Sequence, residues 1–323
     1  MKKVLFATTA LVATAGMAAA EVTLGGFGRF GLYYQENATG TNETRIEQRF
    51  RLTITGQTVS DNGLEFEGRI RFQTDDNAAG ASTVAKSSAA GFAVSTGGLR
   101  LDVGSVSNVV DSGDVVNYFG YGVGLTSFAE QSSEFSNTAV GFGTKGSDFD
   151  TVAPTVKLRY TVGDFTVSAS VTDDADTISV AQSATAPGVV TMGNSSYQIG
   201  AGYSFGNYAI GAVFGSTENG VAAGVDNDEW LIGFTGDVGA LAFAVIVGDS
   251  DVQTDTSYGF SVKYDVGAAT EIRFVFSDSG APGNSDTIAL GFRHSLGGGV
   301  SLQGGIGDAR GTTKADLGVI FNF

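Results

Sequence analysis

The chain has no cysteine, one histidine, one tryptophan and three prolines among its 323 residues. Without cysteine there is no disulfide framework, no thiolate metal site and no thiol nucleophile. With His294 as the lone imidazole, a Ser-His catalytic pair has a single candidate base. Long apolar runs are missing too: after residue 20 nothing reaches the roughly 18 residues that a transmembrane helix needs. Positive charge is scarce, with Lys and Arg totalling 18 against 34 Asp and Glu and a net charge of -16 at pH 7. Such a chain repels nucleic acid.

Glycine (48) and phenylalanine (23) are abundant. Residues 1–20 read as an export signal: Lys2 and Lys3 start it, Val4 to Val12 is apolar, and Ala18-Ala19-Ala20 offers a small-residue cleavage site. The mature chain is expected to start at Glu21, with 16 basic residues left against 34 acidic ones.

From Glu21 onward the apolar residues recur with a period close to two, the strand period. In "TIALGFRHSL", Ile288, Leu290, Phe292 and Leu296 share one face, and Ala289, Gly291, Arg293 and Ser295 the other. Sixteen such segments begin near Val22, Thr44, Leu64, Gly91, Leu99, Thr155, Phe165, Ser195, Tyr208, Asp228, Leu241, Thr256, Thr270, Asp286, Val300 and Thr313. Short glycine-containing connections ("SDNG", "TGG", "VGD", "FGN", "VGA", "LGGG") alternate with long polar ones. Strands that turn tightly at one end and loosely at the other, in an even number, predict an all-β, sixteen-stranded antiparallel transmembrane β-barrel. Its apolar row faces lipid and its polar row a wet lumen, so inward positions can be small because they fill no core. Tyr197, Tyr203, Phe205, Tyr208, Trp230, Tyr258, Tyr264, Phe321 and Phe323 lie near strand ends and read as interfacial girdles.

In "TRIEQRFRLTITG", placing Ile46, Phe50, Leu52 and Ile54 toward lipid sends Arg45, Glu47, Arg49 and Arg51 inward. "LEFEGRIRFQ" likewise sends Glu65, Glu67, Arg69 and Arg71 inward, and the first strand adds Arg29. Against lipid at mid-depth each arginine would cost about 2–4 kcal/mol, whereas a water-filled lumen accepts them. One connection, from about Val106 to Pro154, is far longer than a usual loop. It mixes apolar residues with Asp111, Asp114, Glu130 and Glu134. It is expected to pack on the barrel's inner wall, with its carboxylates opposing the arginines.

"GLRLDVGS" before a long loop, "YSFGNYAIGAVF", "LGGGVSLQGGIGDA" and the terminal "ADLGVIFNF" resemble the general diffusion porins of alphaproteobacteria, the Rhodobacter type. The resemblance implies a homotrimer in the outer membrane of a Gram-negative bacterium. It also implies an inward third loop, here residues 106–154, as a constriction, and a trimer contact on the first and last strands. Outward Gly26 and Gly28 would let a neighbouring subunit approach. It further implies a role for the terminal Phe323 in recognition by the barrel-assembly machinery.

The expected function is passive diffusion of ions and small hydrophilic solutes, with no cofactor required. Rival readings are a sugar- or phosphate-selective channel, a lipid-hydrolysing barrel using His294, and a surface adhesin. Inward aromatics are few, chiefly Phe27 and Tyr33, and His294 falls on the lipid-facing row. The pairs Asp75-Asp76, Asp173-Asp174, Asp226-Asp228 and Asp249-Asp251 are assigned to outer loops, as solvated charge or as Ca2+ or Mg2+ ligands bridging to lipopolysaccharide.

Overall fold

The computed structural model describes residues 20–39, 42–76, 80–136, 153–173, 177–179, 189–191, 195–222, 225–283 and 285–323. The expected signal segment lies outside them except for Ala20, as does the 137–152 part of the long loop. Among the described residues no helix is long and apolar enough to cross a membrane.

Sixteen strands make one closed sheet. They are β1 (Glu21–Gln35), β2 (Thr44–Val59), β3 (Glu65–Asp75), β4 (Gly91–Thr96), β5 (Leu99–Gly104), β6 (Thr155–Val162), β7 (Phe165–Asp173) and β8 (Ser195–Phe205). Then come β9 (Tyr208–Ala222), β10 (Val225–Val238), β11 (Leu241–Ser250), β12 (Ser257–Asp265), β13 (Thr270–Asp278), β14 (Thr287–Gly297), β15 (Val300–Ala309) and β16 (Thr313–Asn322). Each pairs antiparallel with the next, and β16 returns to β1 from Phe27↔Asn322 to Gln35↔Lys314. The two-residue piece Lys86–Ser87 continues the pairing of β3 beside β4. A small hairpin, Thr177–Ser179 with Val189–Thr191, lies in the β7–β8 connection.

Closure removes both sheet edges, so every strand finds hydrogen-bond partners on both sides without water. The seam is sealed to the last residue: Gly26 N donates to Phe323 O at 2.9 Å and Phe323 N to Gly26 O at 3.1 Å. The Phe323 ring stacks on Phe50, centroids 5.5 Å apart. Gly26 and Gly28 do not stay open outward. A Cβ on Gly28 would lie 2.4 Å from Cζ of Phe321, and one on Gly26 3.1 Å from Cζ of Phe323. Gly28 therefore seats the chain's own last strand, and Gly26, whose Cβ would stand 2.0 Å from Arg51 O, seats β2 as well.

The outward row is apolar and bare, with Leu24 66%, Ile306 60% and Ile199 58% exposed. At the short-turn end Tyr203, Phe205, Tyr208, Phe234 and Phe243 form a run of rings with centroids 5.6–6.5 Å apart. The β4–β5 turn needs left-handed backbone at both Gly97 (φ 53°) and Gly98 (φ 86°), conformations that cost a non-glycine residue energy.

The lumen is partly filled by the loop after β5. Val109, Val110, Val116, Tyr118 and Phe135 of this loop pack with Val213, Leu231 and Ile246 of the wall. Val123 and Ala129 pack with Val275 and Ala289. The small inward residues on this side follow from that contact, which corrects the expectation that they merely fill no core. A Cβ on Gly211 would stand 1.7 Å from Val115 O, and one on Gly259 1.9 Å from Gln131 O. These wall glycines form the floor on which the loop backbone lies. Replacing Gly259 by Val is expected to lift the loop without breaking the barrel. Single-channel recording checks this through raised or noisier conductance in a variant that still shows heat-modifiable mobility.

Candidate pore constriction

The arginines of β1–β3 converge because inward positions of neighbouring antiparallel strands meet in register. Arg29 stands directly opposite Arg49, Phe27 opposite Arg51 and Tyr33 opposite Arg45. Like charges facing across a ladder are destabilising, and the wall supplies its own counter-ions. Arg29 pairs with Glu47 at 2.6 Å, Arg45 with Asp76 at 2.9 Å and Arg49 with Asp75 at 2.5 Å. Arg51 donates to Gln73 at 2.6 Å and lies over the Phe27 ring at 5.4 Å, while Arg45 covers Tyr33 at 4.1 Å. Asp75 and Asp76 therefore belong to the wall, since β3 runs further than expected and carries them to Arg49 and Arg45. Arg69 and Arg71 make no ion pair with described residues, and Asp111 of the loop lies within electrostatic reach of Arg71.

The loop contains one helical turn, α1 (Val109–Ser112). The Asn108 side chain accepts from Asp111 N at 3.0 Å, and Gly113 ends the turn in the left-handed conformation at φ 69°. These are the N-cap and C-cap residues such a turn calls for. Val109 N donates to Ser170 Oγ at 3.3 Å and Val110 N to Gln198 Oε1 at 3.0 Å, which fixes the turn to β7 and β8.

Of the four acids expected to face the arginines, Asp111 lies within electrostatic reach of Arg71, and the others lie elsewhere. Asp114 accepts from Lys157 at 2.8 Å, Arg159 at 2.9 Å and Ser168 at 3.3 Å. Burial works to raise its carboxyl, but the bonds to Lys157 and Arg159 prevail and hold it below the usual range. Glu134 is fully buried, accepts from Thr287 Oγ1 at 2.5 Å and lies 3.4 Å from Arg310. Its Oε2 has no hydrogen-bond partner among described residues, and burial pushes its carboxyl up. Glu130 faces a separate cavity beside Arg310 and Lys314, and burial raises it to about 7. Asp114 and Glu134 thus act as anchors for the loop.

Asp316 lies buried on the inward row of β16, and the structure gives it a role. Its carboxylate accepts from Leu125 N, Thr126 N and Thr126 Oγ1, each at 2.8 Å, which clamps the loop to the last strand. The usable signal was the single acid of the closing strand, two residues after Lys314. Arg273 donates to Gly122 O at 3.0 Å and Ser261 accepts from Tyr121 N at 3.0 Å. Both were also missed, because one bond to a distant backbone atom leaves no local pattern. His294 bonds Thr270 at 2.7 Å beside the short turns, away from this wall. Among the described residues no three acids, histidines or cysteines converge as a metal-holding group.

The arrangement is a barrel narrowed by its own loop, with charge on the wall. The model of a Gram-negative porin matches residues 7–314. The chain is 29% identical to "Porin" of Fuscovulum blasticum over 315 residues, covering 94% of this chain and all of that protein. Among solved structures, a doubly substituted mutant of Rh. blastica porin is 25% identical with a TM-score of 0.74, covering 94% of this chain and all of that one. A multiply substituted mutant of the same porin is 24% identical with a TM-score of 0.75 over the same shares. A matching family model over nearly the whole length, joined to a closed sixteen-stranded barrel, means that this chain belongs to the Gram-negative porin family, the non-enzymatic outer-membrane channels for passive diffusion.

Proposed function

We propose that the selective section of this channel lies between the arginines of β1–β3 and the loop turn at Asp111, and that it sorts small hydrophilic solutes by size and charge. What supports the reading is that Asp111 lies within electrostatic reach of Arg71, on a wall where Arg29, Arg45 and Arg49 already hold their own carboxylates. Six arginines stand on this wall against Glu47, Asp75, Asp76 and Asp111, with Glu65 and Glu67 further along β3. Ions and polar solutes exchange hydration for these side chains; apolar ones must displace ordered water. The acids of the outer connections act earlier, at the mouth.

The mature protein works as a homotrimer in the outer membrane after removal of residues 1–20, in contact with lipopolysaccharide on its outer side. No metal or cofactor enters this reading, and a solute-specific channel is not needed to explain the wall. The last strand serves assembly as well as closure. Phe323 supplies two backbone hydrogen bonds and a stacked ring at the seam, at the end of the chain that the assembly machinery would engage.

Three outcomes are expected. Changing Arg51, Arg69 and Arg71 together to Gln should shift permeability toward cations by roughly two- to fivefold, about 1 kcal/mol per wetted charge or less. Asp111→Asn should shift it the other way. Reversal potentials in a salt gradient check both, and unmoved potentials in both variants would refute the assignment. Because Glu130 titrates near 7, it is neutral below that pH and ionised above it. Lys314, Arg310, Glu134 and Tyr118 are the ionisable groups around it. Cation preference should therefore rise by roughly twofold from about pH 6 to about pH 8, and docking of the loop should weaken over the same interval, since burial favours the acid form. Glu130→Gln should flatten both trends. Deleting Phe323 should cut the yield of assembled barrels, scored as heat-modifiable protein in outer membranes, while barrels that do form conduct normally.

A further inference from the structure

On the outer-loop side of the Asp316 clamp the loop and the wall enclose a cavity of about 310 Å³. Its loop side is Tyr118, Phe119, Phe128 and Glu130, and its wall side carries Arg310 and Lys314. The cavity is lined by the loop and by β14–β16 and not by β1–β3, although Lys314 lies within electrostatic reach of Arg45. Lys314 is the second residue of β16 and Thr287 the first of β14, so a solute from outside meets this place before the narrow section.

Its chemistry is unusual for a pore mouth. The Lys314 ammonium makes no hydrogen bond or ion pair with described residues, and neither does the Glu130 carboxylate. They line one cavity yet are not bonded to each other. Arg310 is held in place by Glu134 at 3.4 Å and by the carbonyl of Ser133. It lies within electrostatic reach of Lys314, so two cations stand together on this wall. Between the charged ends, Phe119 is 37% exposed and packs edge-on against Tyr118, centroids 5.1 Å apart. An exposed ring on a rigid support gains by being covered.

We propose that this cavity is a subsite for a small zwitterion with an apolar or aromatic side chain, an amino acid or dipeptide. The solute's carboxylate lies between Lys314 and Arg310, its ammonium on Glu130, and its side chain against Phe119 and Phe128. A neutral sugar leaves both protein charges unanswered, at the cost of desolvating them. A simple organic anion answers Lys314 but places a second negative charge beside Glu130. Only a solute with both charges satisfies both ends. The subsite raises the local concentration of such solutes at the entrance, and weak binding lets them leave toward the constriction.

The inference rests on the chain being an open channel, and the test separates the two. Single channels are recorded in potassium chloride with L-phenylalanine, benzoate or glucose added on the outer-loop side, for the wild type, Lys314→Gln, Lys314→Arg and Glu130→Gln. Potassium chloride steps alone report the channel. L-Phenylalanine is expected to reduce the current in a saturable manner, more strongly than benzoate or glucose. The half-blocking concentration should rise roughly fivefold or more in Lys314→Gln and in Glu130→Gln, while Lys314→Arg keeps the block. Normal conductance without block by L-phenylalanine overturns the proposal, as does block by benzoate that equals it and survives Glu130→Gln. Equal block of all four proteins by L-phenylalanine also overturns it.

Discussion

In hydrocarbon an unpaired peptide group has no water to turn to, and each one left open costs several kcal/mol. The rest of this molecule depends on that constraint. It forces the sheet to close, and closure forces the last strand to be complete: β16 pairs with β1 up to Phe323, whose backbone exchanges two hydrogen bonds with Gly26. The same constraint inverts the usual sidedness, so Leu24, Ile199 and Ile306 stand bare on the outside while arginines and carboxylates stand inside. The glycines of β1 serve closure as well, since the rings of Phe321 and Phe323 occupy the space above Gly28 and Gly26.

Once closed, a ring of sixteen strands holds more space than side chains can fill, and the loop after β5 takes up part of it. Apolar contacts set where the loop lies, through Val109, Val110 and Phe135 against Val213, Leu231 and Ile246. Polar clamps fix its height: Asp114 on Lys157 and Arg159, Asp316 on Leu125 and Thr126, Glu134 on Thr287 and Arg310. Loop and wall approach so closely that glycine is required at Gly211 and Gly259. On β1–β3 the arginines face their own carboxylates instead. The asymmetry of the lumen, one side paved by the loop and one side charged, follows from this division of the wall.

The barrel was legible in the sequence because a two-residue period and alternating turn lengths are local patterns repeated sixteen times. Fifteen of the sixteen strand starts fall within one residue of those read from the sequence; β10 begins three residues earlier, at Val225, and the charge-rich β3 carries on through Asp75 where a loop was expected. The inward direction of Arg29, Arg49 and Arg69 was legible for the same reason. What could not be read were contacts made at long range. Asp316 looks like a lumen acid until residues 125 and 126 are known to lie beside it, and Gly259 looks like an ordinary strand glycine until Gln131 comes to rest on it. Asp114 and Glu134 were identified as inward loop acids, but their partners sit on β6, on β14 and beyond the end of β15, so the sequence pattern directed them to the wrong wall.

The central claim is that Arg69 and Asp111 face the same narrow section of one aqueous path. Because the chain has no cysteine, Arg69→Cys and Asp111→Cys variants each carry a single thiol. The direct measurement is single-channel current while a bulky, water-soluble thiol reagent is added to each. The account predicts a stepwise fall in current at both positions, with the sign of the reagent's charge shifting ion preference in the same direction at each. Complete labelling, verified by mass, with unchanged current at both positions would contradict it.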